Sequence, residues 1–176
     1  AFGQVRVFIN SIPNVSLNEE EVAGMEAAYG PYLNRVVLEV IESEQTDEAS
    51  THFKQEVIGR WGGEVALDDF GAGYNNDVIL LSLRPAYVKI DMALITNIAV
   101  DTVKQNIVRN LVGYFADTEI KTIAEGVENN EDMTLLINMG IDYLQGYYLG
   151  RPSFEPQAIP PQVAEEIRAA AQKQRA

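Results

Sequence analysis

The chain of 176 residues contains no cysteine and a single histidine, His52. Without thiols, disulfide scaffolds, zinc–thiolate centres and cysteine nucleophiles are all excluded. One imidazole cannot form a metal site built from several histidines, and it argues against a serine–histidine–aspartate triad. Any catalysis must therefore come mainly from carboxylates, amides, lysines and a bound metal ion.

Basic residues are also scarce relative to acidic ones. The 13 Lys and Arg stand against 26 Asp and Glu, so the formal net charge is −13 and the pI is about 4.4. This balance disfavours binding to DNA and contact with an anionic membrane surface, because both need clustered Lys and Arg. No run of about 18 apolar residues occurs, and the N-terminal residues lack the pattern of a signal peptide. We therefore expect a cytoplasmic protein.

Strand-like and helix-like segments alternate along the whole chain. The β-rich segments are Val5–Asn10, Arg35–Ile41, Glu64–Asp68, Ala86–Asp91, Lys121–Glu125 and Ile141–Gln145. Helical spacing of apolar residues predicts helices between them, as for Val103, Ile107 and Phe115. Ser16–Glu19 has the pattern of a capping box and predicts the start of the first helix.

Strict alternation predicts parallel strands covered by helices, an α/β fold that two architectures provide. One is an open doubly wound sheet, and the other is a TIM-type (β/α)8 barrel. A barrel typically needs about 250 residues and eight strands, so a barrel of this length would be about two β-α units short. Neither a repeat nor a linker-like segment divides the sequence. We expect one domain over residues 1–176, and an incomplete one.

Polar side chains collect at the C-terminal ends of the predicted strands, where parallel α/β folds build their sites. These residues are Asn10, Glu39, Asp68, Asp69, Lys89, Asp91, Glu125 and Gln145. A single carboxylate at a strand end is more often a helix cap or a surface ion pair, but caps do not explain so many at one rim. The all-oxygen donor set favours Mg²⁺ or Mn²⁺, and adjacent Asp68 and Asp69 suit a two-metal site for phosphoryl chemistry.

Seven short segments, taken together, resemble the EAL-domain family of phosphodiesterases, which hydrolyse the bacterial second messenger cyclic di-GMP to linear pGpG. The segments are Ile9–Ser11, Leu38–Glu42, Asp68–Tyr74, Lys89–Asp91, Ala124–Glu128, Gln145–Tyr147 and Arg151–Pro152. They follow the family's order with near-family spacing and cover almost the whole chain. The resemblance implies a TIM-type (β/α)8 barrel, of which this chain carries the last six β-α units.

The resemblance also implies a ligand set for two metal ions, Mg²⁺ or Mn²⁺. By position, Asn10, Glu39 and Asp68 would hold the first ion. Asp68 would bridge to a second ion, which Asp69 and Glu125 would complete.

Further roles follow from the same resemblance. Lys89 would position the attacking water, and Glu125 would help to deprotonate it. Gln145 and Asp91 are expected to contact the substrate, and Glu42 to brace the loop after the third strand. Upstream sensory or GGDEF-type domains are expected partners in the complete protein.

The tripeptide Glu-Ala-Leu that names the family occurs nowhere in these residues. In the family it precedes the segment that matches Val5–Asn10 and supplies a metal ligand. We therefore expect an N-terminally truncated EAL-type domain that is inactive or nearly so in isolation, within a complete protein that is an active phosphodiesterase. Strand edges left exposed by the truncation, or the helix after the loop that begins at Asp69, are expected to support a homodimer or other self-association.

Two alternatives remain open. The first is a signalling module that binds cyclic di-GMP without cutting it. It is favoured by departures from the family pattern in and after the loop, where Ala72 replaces Thr and Asp77 replaces Leu. It is opposed by the site residues that are present, namely Asn10, Glu39, Asp68, Asp69, Lys89 and Glu125. The second is an unrelated metal-dependent barrel enzyme that abstracts a proton with Lys89 as the base.

Overall fold

The computed structural model describes residues 5–13, 15–41, 48–72 and 76–174, apart from the side chains of residues 48 and 76–78. Glu42 therefore lies outside the described residues. The chain divides into two compact units, Ala1–Tyr87 (the first unit) and Val88–Ala176 (the second unit). Over the described ranges, strands and helices alternate as the sequence predicts.

Each predicted strand is found, with bounds that differ by a few residues. The strands are β1 Val7–Asn10, β2 Val36–Ile41, β3 Glu64–Phe70, β4 Tyr87–Ile90, β5 Lys121–Ala124 and β6 Tyr143–Leu144. The helices are α1 Glu19–Tyr29, α2 Glu48–Trp61, α3 Asn76–Leu83, α4 Met92–Ile95, α5 Thr102–Asp117, α6 Asn130–Met139 and α7 Pro161–Gln174. Short 3₁₀ segments cover Gly30–Arg35 and Ile98–Val100.

The first helix starts later than its sequence pattern indicates. Asn18 is the N-cap, accepting a hydrogen bond from the Glu21 backbone N–H at 2.9 Å, and the Glu21 carboxylate accepts one from the Asn18 N–H at 2.8 Å. The prediction of a capping box at Ser16–Glu19 was thus wrong by two residues. Ser16 instead shares a hydrogen bond with the Ser50 hydroxyl of α2. An amide oxygen caps as well as a hydroxyl does, so residue type alone does not choose between the two positions.

The sheet of the first unit has one apolar face and one that carries polar groups. Strands β1, β2 and β3 run parallel, with Val7 opposite Val36 and Val37 opposite Glu64. Because side chains alternate along a strand, Val36 shares a face with Leu38, whereas Glu39 points to the opposite side. The apolar face packs against α2 in a cluster of Leu33, Val36 and Ile58, with Leu38, Trp61 and Val65 around it. Helix packing on this face leaves the other face to Glu39 and its neighbours.

Two glycines between α2 and β3 bring those elements together. Gly62 has φ +69°, a left-handed conformation that ends the helix without the strain a side chain would add. A Cβ on Gly63 would lie 2.8 Å from the carbonyl oxygen of Val36. The turn therefore requires glycine where β3 comes alongside β2.

The second unit is built around its own apolar core. Strands β5 and β6 pair in parallel, with Ile123 opposite Tyr143. The core contains Ile90, Ile98, Val108, Ala124, Met133, Leu136 and Val163, among others. Asp132 is 1% exposed at the start of α6, where its carboxylate accepts hydrogen bonds from Asn97 N, Ala99 N and Asn129 Nδ2. This one side chain ties α6 to the segment between α4 and α5.

Two observations concern the surface and the helix lengths. His52, the single histidine, lies on α2 and is exposed. No helix in the described ranges combines the length and apolarity needed to cross a bilayer.

Candidate functional site

Three predicted metal ligands lie on one face of the first unit's sheet. Asn10 of β1 is directly opposite Glu39 of β2, and Asp68 of β3 is opposite Ile41, two residues further along β2. Neighbouring strands are about 4.8 Å apart and two residues span about 6.6 Å, so the three side chains occupy adjacent positions. Glu39 and Asp68 are each 7% exposed. The pairing register thus brings three oxygen donors together on the face opposite the apolar core.

Asp69 lies in a backbone conformation unlike that of its neighbours. Its φ is +57°, in the left-handed region that residues other than glycine seldom adopt. The Asp69 N–H donates a 3.0 Å hydrogen bond to Asp68 Oδ1, and its carbonyl accepts one from Ala72 N at 3.2 Å. Strained backbone of this kind is concentrated at functional sites, where it aims a side chain. The left-handed conformation of Asp69 interrupts the alternation of side chains along β3 at the two successive carboxylates, Asp68 and Asp69.

The second unit holds the two predicted catalytic residues in direct contact. Lys89 on β4 and Glu125 at the end of β5 form an ion pair, with Nζ 2.8 Å from Oε1. Their side chains are 6% and 17% exposed, so Lys89 is not a solvated strand-end lysine. The backbone N–H of Glu125 donates to the Ile90 carbonyl at 3.1 Å, which joins the ends of β4 and β5. The arrangement places a cation and a proton acceptor side by side.

The two predicted substrate contacts differ in their surroundings. Asp91 caps α4, with Oδ1 accepting from Ala93 N at 2.7 Å, so it has a structural role whatever else it binds. Gln145 follows β6 with an exposed side chain. Its N–H donates to the Ala124 carbonyl at 2.8 Å and its carbonyl accepts from Val127 N at 3.0 Å. Gln145 is therefore fixed through its backbone and leaves its amide available.

Sequence reasoning missed a buried lysine in the first unit. Lys54 of α2 donates a 2.6 Å hydrogen bond from Nζ to the carbonyl of Ile12, and burial lowers the pKa of Lys54. It lines a largely apolar cavity of about 280 Å³ between β1, β2, α1 and α2. Phe53, Val57 and Trp61, which recur at helical spacing along α2, also line that cavity. A lysine within an amphipathic helix ordinarily predicts exposure, so no signal pointed to its burial.

Tyr147 and Arg151 were noted only as parts of family motifs. The guanidinium carbon of Arg151 lies 4.5 Å from the centroid of the Tyr147 ring, a cation–π contact. One sequence signal was available, since residues 143–154 contain Arg151 and no other charged residue in a chain with 26 carboxylates.

Comparison with known proteins identifies relatives of the chain. A family model described as the EAL domain matches residues 2–152. A relative from Escherichia coli K12, named probable cyclic di-GMP phosphodiesterase PdeA, is 32% identical over 152 residues. That alignment covers 84% of this chain and 21% of PdeA, so the chain spans about a fifth of this relative's length.

Solved structures of EAL proteins match the fold of this chain. A standalone EAL protein from Vibrio cholerae O395, in a c-di-GMP-bound form, matches with a TM-score of 0.78 and 31% identity, covering 90% of this chain and 70% of that one. BlrP1 from Klebsiella pneumoniae, in a manganese and cyclic di-GMP complex, matches with a TM-score of 0.77 and 31% identity, covering 86% of this chain and 40% of that one. The expected fold, an incomplete TIM-type (β/α)8 barrel with six β-α units, is confirmed.

Proposed function

Because the chain belongs to the EAL-domain family, we propose that its residues serve a metal-dependent phosphodiesterase that hydrolyses cyclic di-GMP to linear pGpG. The observation that carries the proposal is a match to a relative named probable cyclic di-GMP phosphodiesterase, by a chain that keeps Lys89 and the family's oxygen donors other than the glutamate of Glu-Ala-Leu. The relative of known structure from Vibrio cholerae, which is bound to cyclic di-GMP, supports the substrate.

The proposed metal ions are Mg²⁺ or Mn²⁺. Asn10, Glu39 and Asp68 are the proposed ligands of one ion, and Asp68, Asp69 and Glu125 of the other. This set fits such ions because every donor is a carboxylate or amide oxygen, the atoms that hard divalent cations prefer. When bound, such ions neutralise charge on the phosphodiester and acidify water. The manganese complex of BlrP1 supports the assignment.

The chain's own residues supply the proton transfer and hold the substrate. In the proposed reaction, the Glu125 carboxylate accepts a proton from water, the water oxygen bonds to phosphorus, and one P–O ester bond breaks. Its leaving oxygen takes up a proton and becomes a free hydroxyl. The Lys89 ammonium is proposed to position the attacking water, and its ion pair with Glu125 orients that carboxylate. Gln145 and Asp91 are proposed to contact the nucleotide, and Glu42 to brace the loop after β3.

The setting of this activity is proposed from the family. One EAL-type domain spans residues 1–176 and works in the bacterial cytoplasm, together with sensory or GGDEF-type domains. We also propose self-association, either through a strand edge, of which β1 is one and β6 the other, or through α3, the helix after the loop that begins at Asp69. All four residues of β1 are exposed, including Val7 and Ile9, and exposed apolar strand edges favour pairing with another chain.

A calorimetric titration tests the proposed function. Cyclic di-GMP is added to the chain in the presence of Ca²⁺, and we expect saturable binding that disappears with a chelator. Hydrolysis is then followed by chromatography of pGpG with Mg²⁺ or Mn²⁺, in the chain alone and in a version extended by a segment that carries Glu-Ala-Leu. In the extended version, Glu125→Gln should abolish turnover, whereas Glu165→Gln on the exposed face of α7 should leave it unchanged. Absence of binding contradicts the proposal.

The second candidate is a module that binds cyclic di-GMP without cutting it. The observation in its favour is the set of substitutions in the loop after β3 and in the first turn of α3, including Ala72 and Asp77. Under this alternative, metal-dependent binding persists and no pGpG forms even when the Glu-Ala-Leu segment is supplied. Turnover in the extended version eliminates it.

A further inference from the structure

Tyr147 presents an aromatic surface beside the proposed substrate contact Gln145. The Tyr147 side chain is 56% exposed, although the apolar core lies directly behind its turn. Arg151 stacks over the ring, with its guanidinium carbon 4.5 Å from the ring centroid. A tyrosine ring paired with a planar guanidinium is the kind of surface on which nucleobases stack.

The turn that carries Tyr147 is fixed to the loop that follows Glu125. A Cβ on Gly146 would lie 2.1 Å from the Val127 carbonyl oxygen, so the close approach of the two backbones requires glycine at this position. On the other side of Tyr147, the Tyr148 N–H donates to the same carbonyl at 3.1 Å. Tyr147 is therefore held between two anchors on Val127, two residues from the proposed catalytic Glu125.

The side chains that follow Tyr147 fix the turn further. The Tyr148 hydroxyl donates a 2.7 Å hydrogen bond to Glu166 of α7, and Leu149 packs against the apolar core. These contacts occupy both neighbours on the C-terminal side and leave Tyr147 as the outward-facing ring of the turn. Because its backbone is restrained, the ring can offer stacking area at little cost in ordering.

The charge of this turn is favourable for an anionic ligand. Residues 143–154 contain no carboxylate, and their single charge is the guanidinium of Arg151. In a chain of net charge −13, a nucleotide phosphate approaching this segment meets a locally positive group. Arginine also pairs with phosphate or with the O6 and N7 atoms of guanine through two parallel hydrogen bonds.

We propose that Tyr147 and Arg151 form a stacking platform for one guanine base of the bound cyclic dinucleotide. The inference rests on the proposed function and adds to it a specificity site outside the metal ligands. Tyr147 contributes the ring face, and Arg151 holds the ring and contacts the polar edge of the base or its phosphate.

The test is a calorimetric titration of cyclic di-GMP with Ca²⁺ into three variants and the unmodified chain. Tyr147→Leu should raise the dissociation constant by roughly 5- to 100-fold, the range expected for loss of one base stack. Tyr147→Phe should restore most of the affinity, because the ring remains. Tyr114→Leu is the matched control, since Tyr114 is a 49% exposed tyrosine on α5 of the same unit.

The outcomes separate this inference from the function on which it rests. Binding by the unmodified chain and an equal affinity for Tyr147→Leu overturns the platform and leaves the proposed function in place. A failure of the unmodified chain to bind overturns both. A loss of affinity that Tyr147→Phe does not restore also overturns the platform, because stacking requires only the ring.

Discussion

The Nζ atom of Lys89 lies 2.8 Å from Oε1 of Glu125, and both side chains are largely withdrawn from solvent. A pair buried to this extent gains little net stability over apolar replacements, because removing two charges from water is costly. Loss of one partner alone is far more damaging, since the remaining charge is left buried. The pair therefore couples the two predicted catalytic residues energetically as well as spatially.

Lys89→Met and Glu125→Gln should each destabilise the metal-free chain, by about 3 kcal/mol in the case of Lys89→Met. The double variant should cost clearly less than the sum of the two single changes, because it leaves neither charge unpaired. Urea unfolding of the three variants completes the cycle. Additive costs would show that the two groups do not interact in solution.

Metal binding should stabilise the folded chain. At a Mn²⁺ concentration near 100 times the dissociation constant we expect a gain of about 2.7 kcal/mol, which raises the melting temperature by about 5–10 °C. Asp68→Asn should remove most of the rise, because it deletes the charge of a proposed bridging ligand. Asp117→Asn at the exposed end of α5 should leave it unchanged. An equal rise in both variants would place the ion elsewhere.

Asp132→Asn should destabilise the second unit by about 2–4 kcal/mol, although the change alters one atom. Three donors converge on the two carboxylate oxygens of Asp132, and an amide nitrogen at either position would face an N–H group. Asp101→Asn is the matched control, because both contacts at that helix cap use a single oxygen that asparagine retains. Denaturant midpoints measure the difference, and equal midpoints would contradict the argument.

Asp142 should make stability depend on pH in acid. Desolvation raises the pKa of Asp142, but hydrogen bonds from the Thr122 N–H, Lys121 and the Thr122 hydroxyl outweigh it and leave the pKa below its usual value. The carboxylate thus contributes stability above its usual pKa of about 3.9, and that contribution is lost as the pH falls through the lower folded-state value.

Asp142→Asn should accordingly cost roughly 1 kcal/mol at pH 7, a modest figure because the Lys121 pair is open to solvent. The difference from the unmodified chain should shrink as the pH falls below about 4. Urea midpoints at pH 7 and pH 3 provide the measurement. A difference that stays constant would show that the stabilisation does not depend on the charge.

Gly146→Ala should displace the turn that carries Tyr147 and weaken cyclic di-GMP binding, measured by calorimetric titration in the presence of Ca²⁺. Its Cβ has no room against the backbone of Val127, so the turn must move and carry Tyr147 with it. Gly113→Ala is the control, because a Cβ there meets nothing within 4 Å on the exposed face of α5. Binding that is equally affected by both changes would contradict a positional role for Gly146.

Much of the fold and of the candidate site followed from the order of residues alone. The spacing of apolar residues predicted every strand and the main helices. Side chains share a face every second residue in a strand and every three to four residues in a helix, and this difference does not depend on tertiary contacts. The strand-end position of Glu39, Asp68 and Lys89 followed from the same pattern. Donor chemistry then restricted the metal type, since the chain has no cysteine and one histidine.

Other features depended on contacts between residues far apart in the chain. The pairing of Lys89 with Glu125 needs two parallel strand ends side by side, and the burial of Lys54 needs the Ile12 carbonyl within reach of its ammonium. The use of Asn18 rather than Ser16 as the helix cap likewise depends on a tertiary contact, because the Ser16 hydroxyl shares a hydrogen bond with Ser50. Local sequence thus determined which segments form which elements and which chemistry they carry. Only the tertiary structure decided which charges are buried together, because burial depends on packing that residue order does not encode locally.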